Sequence, residues 1–132
     1  MADLYQPECV CSKAEVDIYR MRDRTLQVTI TTDVGDITDS LLWLTVKREL
    51  GDVDADAVIT KLSANNGGSD SQAKVTDGIN RIIEFYIDRT DTEDLNAGDY
   101  WMDAVIQLPS GRRLQLIPPT RFTIHQPTTL TT

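Results

Sequence analysis

Apolar and polar residues alternate with a period of two along most of the chain, and helical periodicity is scarce. Residues 15–20 predict a first strand with Val16 and Ile18 on one face. Residues 25–32 predict a second, with Leu26, Val28 and Ile30 inward and threonines outward. Asp33-Val34-Gly35-Asp36 forms a turn, since Gly and Asp tolerate the backbone angles required. Residues 41–49 and 57–62 predict the next two strands. The stretch 63–71 carries Asn65-Asn66-Gly67-Gly68-Ser69-Asp70 and reads as a flexible polar loop with little to bury. Residues 80–88, rich in β-branched and aromatic side chains, are the clearest strand, and 99–108 is another. Pro109-Ser110-Gly111 makes a hairpin turn. Residues 112–117 and 120–125 form one long strand broken at Pro118-Pro119; proline donates no hydrogen bond, so the break belongs at an edge or a bulge. One helical turn is expected over 90–95.

These segments imply an all-β, immunoglobulin-like two-sheet sandwich of about seven antiparallel strands. The expected organisation is an N-terminal arm over 1–14, the sandwich over 15–125 and a polar C-terminal tail over 126–132. The most informative motif is Leu95-Asn96-Ala97-Gly98-Asp99-Tyr100. Immunoglobulin-like sandwiches cross between sheets before their sixth strand, where a tyrosine turns its hydroxyl back onto upstream backbone. Tyr100 stands at that position and Gly98 allows the tight approach; Met102 fills the slot that holds a cysteine in antibody domains. Pleat alternation then gives the inward set: Leu26, Val28, Ile30, Leu42, Leu44, Val46, Ile83, Phe85, Ile87, Tyr100, Met102, Ala104, Ile106, Leu114 and Leu116.

Charge and composition narrow the function. The net charge of −8 argues against sequence-independent nucleic-acid binding, which needs clustered Lys and Arg. The densest basic cluster, Arg20, Arg22 and Arg24, lies beside Asp17 and Asp23 and reads as a solvated strand face. No apolar run reaches the roughly eighteen residues of a membrane helix, and residues 1–10 lack the pattern of a secretory signal, so no membrane partner is expected. Cys9 and Cys11 are too close for an easy disulfide and read as free thiols in a reducing compartment, with a metal or an intermolecular bridge as alternatives.

No catalytic, cofactor or metal site is expected. Asp52-x-Asp54-x-Asp56 has the spacing that opens a calcium loop, but Ala57 and Ser63 stand where that loop needs Gly and Glu. Asp88, Asp91, Glu93 and Asp94 near the crossover are explained by capping and solvation. His125, the lone histidine, falls at the end of the last strand, away from an evident nucleophile.

The pattern over roughly 21–124 resembles the immunoglobulin-like domains of tailed-bacteriophage virion proteins, including the N-terminal domain of upper baseplate proteins. The residues carrying the likeness are Thr25-Leu26-Gln27-Val28-Thr29-Ile30-Thr31, Leu42-Trp43-Leu44-Thr45-Val46-Lys47, Ile59-Thr60-Lys61-Leu62-Ser63, Asp91-Thr92, Leu95-x-Ala97-Gly98-x-Tyr100 and Pro109-Ser110-Gly111-Arg112-Arg113. The resemblance implies a non-enzymatic building block of the virion in tail, baseplate or neck, made in the bacterial host cytoplasm and bound to other virion proteins in several symmetric copies. A capsid decoration protein is the alternative place; a carbohydrate-binding module contacting a host-surface glycan is the alternative activity. The first twenty-odd residues lie outside the pattern, and a stand-alone module without a second domain is expected.

Trp43 is out of phase with Leu42, Leu44 and Val46, and Trp101 with Tyr100 and Met102. Both indoles are expected on one outer face, joined by Val105, as a partner-binding patch. The alternatives are a one-residue slip that puts one indole in the core, and cover by the N-terminal arm. Ile82 and Tyr86 face outward on the opposite sheet.

Overall fold

A computed structural model describes residues 15–128. The expectations for residues 1–14, including Cys9 and Cys11, and for 129–132 lie outside the described residues. Eight strands follow in order: β1 Val16–Tyr19, β2 Arg24–Thr29, β3 Leu41–Lys47, β4 Ile59–Leu62, β5 Ala73–Asp77, β6 Ile82–Ile87, β7 Gly98–Gln107 and β8 Arg113–His125. A single helical turn, α1 Arg89–Thr92, precedes β7. One sheet has the order β1-β8-β7-β3-β4 and the other β2-β6-β5. This is the immunoglobulin-like arrangement, with a strand added to the β8-β7-β3 sheet as in variable-type domains. The pairs are antiparallel except β1 with β8, which run parallel.

Every residue of the expected inward set is buried. The same interior takes Val16 and Ile18 of β1, Ile37, Ile59, Leu95, Leu108, Ile117, Phe122 and Ile124. The eighth strand is β5, in a stretch to which the expected elements, loop 63–71 and strand 80–88, assign nothing. Its alternation is weak, Ala73 and Val75 inward against Lys74 and Thr76, and its antiparallel ladder with β6 defines it.

The crossover is built as a tyrosine corner. The Tyr100 hydroxyl donates to the Asn96 carbonyl at 2.8 Å while the ring is buried. Replacing Tyr100 with phenylalanine keeps the ring and removes that bond. The expected cost is about 1 kcal/mol, read as a lower urea midpoint at unchanged slope.

Of three further expectations, capping by Asp91 holds and is extended, and those for Arg20 and for 63–71 are corrected. Arg20 is not part of a solvated face: its Nε donates to the Leu95 carbonyl at 2.9 Å, and its guanidinium also reaches the Glu93 carbonyl. With the Met21 N–H donating to Thr92 Oγ1 (2.8 Å) and the Arg89 N–H to Asp23 Oδ1 (2.8 Å), the β1–β2 turn is latched onto the crossover. Asp91 does more than cap. It accepts the Asp88 N–H at 2.7 Å and pairs at 2.7 Å with Lys61, which projects from the inward face of β4. Nor is 63–71 a loose loop. Asn66 Nδ2 donates to the Leu42 carbonyl and Asn65 Nδ2 to the Asp39 carbonyl, both at 3.1 Å, tying a short 3-10 turn to the start of β3.

β8 runs through Pro118-Pro119. Between Met102 and Val105 the partners on β8 run from Thr120 to Gln115, so β8 carries one extra residue at each of two bulges. β1 pairs only with Phe122–His125, which leaves the proline segment at a sheet edge. The prolines thus lie both at an edge and at a bulge, as expected, but they do not break the strand.

Candidate functional site

The candidate site is the outer face of the five-stranded sheet. β3 and β7 pair in register, setting Trp43 opposite Val105, Thr45 opposite Asp103 and Lys47 opposite Trp101. Strand alternation turns these six residues outward, because their neighbours Leu42, Leu44, Val46, Met102, Ala104 and Ile106 fill the core. Both indoles therefore lie on one face, and each is half-buried. The slipped register that would sink one of them in the core does not occur.

Val105 does not join them. It stands beside Trp43, and Trp101 lies four residues away along β7, about 14 Å at strand rise. The row between them is polar. Thr45 Oγ1 donates to Asp103 Oδ1 at 3.0 Å, and Gln115 Nε2 to Asp103 Oδ2 at 3.1 Å. Gln115 also reaches the Ala104 and Ile117 carbonyls across the β8 bulge, which fixes its amide over Asp103. The expected continuous apolar patch is thus two separate patches with a carboxylate between them.

The two ends differ. At one, the Arg113 guanidinium lies 5.2 Å from the centre of the Trp43 ring and its Nε donates to Gln107 Oε1 at 2.7 Å. A hollow of about 160 Å³ lies there, lined by Trp43, Thr45, Asp54, Asp103, Val105 and Arg113. At the other, Trp101 shares a smaller hollow of about 60 Å³ with Lys47, Leu50, Met102, Asp103 and Pro119. Leu50, in the β3–β4 connection, is 58% exposed and extends the apolar surface on that side. Lys47 Nζ is held by Asp54 Oδ1 at 2.8 Å.

Sequence reasoning missed Asp103, Arg113, Leu50 and Pro119. Alternation does place Asp103 between two outward apolar residues of β7. Nothing in the pattern signals that a loop leucine packs beside Trp101. On the opposite sheet, Ile82 and Tyr86 face outward but are divided by Glu84, whose carboxylate accepts the Tyr86 hydroxyl at 2.8 Å. Desolvation, and then Glu84, push the Tyr86 phenol above its ordinary range. Gly98 opens β7 with a φ of 148°, a backbone angle that favours glycine, but the tight approach expected there is absent, since the space around its β-carbon position is open.

The remaining candidates have structural partners. Asp52 Oδ2 accepts the Glu49 N–H at 3.2 Å, and Asp54–Asp56 form a 3-10 turn. His125 Nε2 lies 2.9 Å from Asp17 Oδ1, and its ring is 5.7 Å from that of Tyr19. Among the described residues, no group of three or more His, Cys, Asp or Glu could hold a metal ion, and no helix is long and apolar enough to cross a membrane.

No protein-family model matches the chain, and no curated protein matches it. Among solved structures, CopC from Methylosinus trichosporium OB3b superposes with a TM-score of 0.48 at 14% identity, over 90% of this chain and 91% of that one. Murine CRIg gives 0.43 at 15% identity, over 86% and 92%. At these scores neither likeness bears on function.

Proposed function

We propose that the chain is a non-enzymatic docking module of a tailed-phage virion, sited in tail, baseplate or neck, that binds other virion proteins through the outer face of its five-stranded sheet. The observation that supports docking is the pair of half-buried indoles on one face, with Leu50 exposed beside Trp101. Half-exposed aromatic side chains on a sheet face are frequent anchors of protein interfaces. The virion setting rests on the sequence resemblance described above.

Trp101 forms the apolar anchor and Trp43, under Arg113, a polar rim. The test is incorporation into particles. Changing Trp43 and Trp101 together to alanine is expected to lower the copies per purified particle at least tenfold, while circular dichroism and the urea midpoint stay near those of the parent. Particles that carry the doubly changed protein at parental copy number would overturn the reading.

Quantitative mass spectrometry of the same particles separates the two places on the virion. A symmetric tail assembly takes roughly a dozen copies or fewer, a capsid lattice hundreds. Sugar stacking is the weaker reading, because the Arg113 guanidinium already occupies the Trp43 ring.

A further inference from the structure

We propose that the partner docked on this face presents a basic side chain, lysine or arginine, to Asp103, next to an apolar side chain seated on Trp101, Leu50 and Pro119. The inference rests on the docking reading above and names the chemistry of its partner.

Asp103 sits at the centre of the face and lines both hollows. It is half-buried, and each carboxylate oxygen accepts one hydrogen bond from an uncharged donor, Thr45 or Gln115. A carboxylate offers about four lone-pair sites, so about half its capacity is left to water. Among the described residues no cation lies within ion-pair distance of it. The neighbouring cations are directed elsewhere: Lys47 to Asp54, Arg113 to Trp43 and Gln107.

A partner that covers both indoles must also cover Asp103 and strip its remaining water. Leaving a carboxylate dehydrated and uncompensated is strongly unfavourable, whereas a cation supplied across the interface makes a charge-assisted bond there. The net charge of −8 draws a basic partner in the same sense. The spacing is specific too. Trp101 and Asp103 are alternate residues of β7, about 7 Å apart, which matches alternate side chains of an extended partner segment.

The probe is the peptide acetyl-Leu-Gly-Arg-amide, titrated into the isotope-labelled full chain with the amide and indole N–H signals followed by NMR. Saturable shifts centred on Trp101 and Asp103 are expected. The same peptide with citrulline for arginine should bind at least tenfold more weakly, Asp103→Asn should lose a similar factor for the arginyl peptide, and added salt should weaken binding to the parent chain. Equal binding of the two peptides, no response at Trp101 or Asp103, or undiminished binding to Asp103→Asn would overturn the proposal. Particle incorporation keeps the two ideas apart. If the tryptophan changes abolish incorporation while Asp103→Asn particles carry the parental copy number, docking stands and the cation inference fails.

Discussion

Replacing Asp91 with alanine is expected to lower the free energy of unfolding by about 3–5 kcal/mol, a large part of the total for a domain of this size. The reason is asymmetric burial. The side chain of Lys61 is 6% exposed and that of Asp91 21%, with 2.7 Å between Nζ and Oδ2. Without Asp91, the ammonium group buried on β4 loses its ion-pair partner. The substitution also removes the acceptor for the Asp88 N–H at the start of α1. Asp91→Asn separates the two effects, since an amide oxygen can still cap. If the charge dominates, Asn is nearly as damaging as Ala. Lys61→Met removes the charge and keeps an apolar stem of similar length, so its cost should be the smaller. Urea unfolding of the three variants, compared at constant slope, checks the order. A Lys61→Met variant less stable than Asp91→Ala would show that the lysine stem, not the pair, holds this corner.

Gly68→Ala is expected to cost about 2–3 kcal/mol, although it lies in a polar surface loop. A β-carbon there would stand 2.0 Å from the Leu62 carbonyl oxygen and 2.5 Å from its carbonyl carbon. Both are backbone atoms at the end of β4, so neither can rotate away as a side chain would. Gly67→Ala is the control. Gly67 has a φ of 87° but open space around its β-carbon position. That variant reports only the left-handed conformation, about 1 kcal/mol. Thermal or urea unfolding should rank Gly68→Ala clearly below Gly67→Ala. Equal midpoints would mean that the loop yields by more than an ångström without loss.

Much of the fold was legible because it is written locally. Strand alternation identifies the buried residues of β2, β3, β6 and β7, and the corner is announced by residues 95–100 in one continuous stretch. What escaped is non-local. β5 has a single large apolar residue, Val75, so its pattern has little amplitude without its partner β6. Lys61 sits inward on β4, and the aspartate that compensates it comes from 30 residues further along the chain. The arginine at position 20 looked solvated because its acceptors, the carbonyls of Glu93 and Leu95, belong to a distant crossover. The outer face was half legible. Its two indoles follow from phase alone, but their separation follows from the pairing of Trp43 with Val105, and the importance of Asp103 from the row it forms with Thr45 and Gln115.

The doubled bulge in β8 gives the last strand something like a reading frame. Leu114 and Leu116 point inward on even positions, Ile117 on an odd one, and Thr120, Phe122 and Ile124 on even positions again. Each supernumerary residue inverts the sides, and the second restores them. Loss of one residue at Pro118-Pro119 would turn Phe122 and Ile124 out to solvent and bring Arg121 and Thr123 in. Loss of both would leave the sides unchanged. Length changes at this edge are therefore tolerable only in even steps, and the outer face of the same sheet inherits that parity.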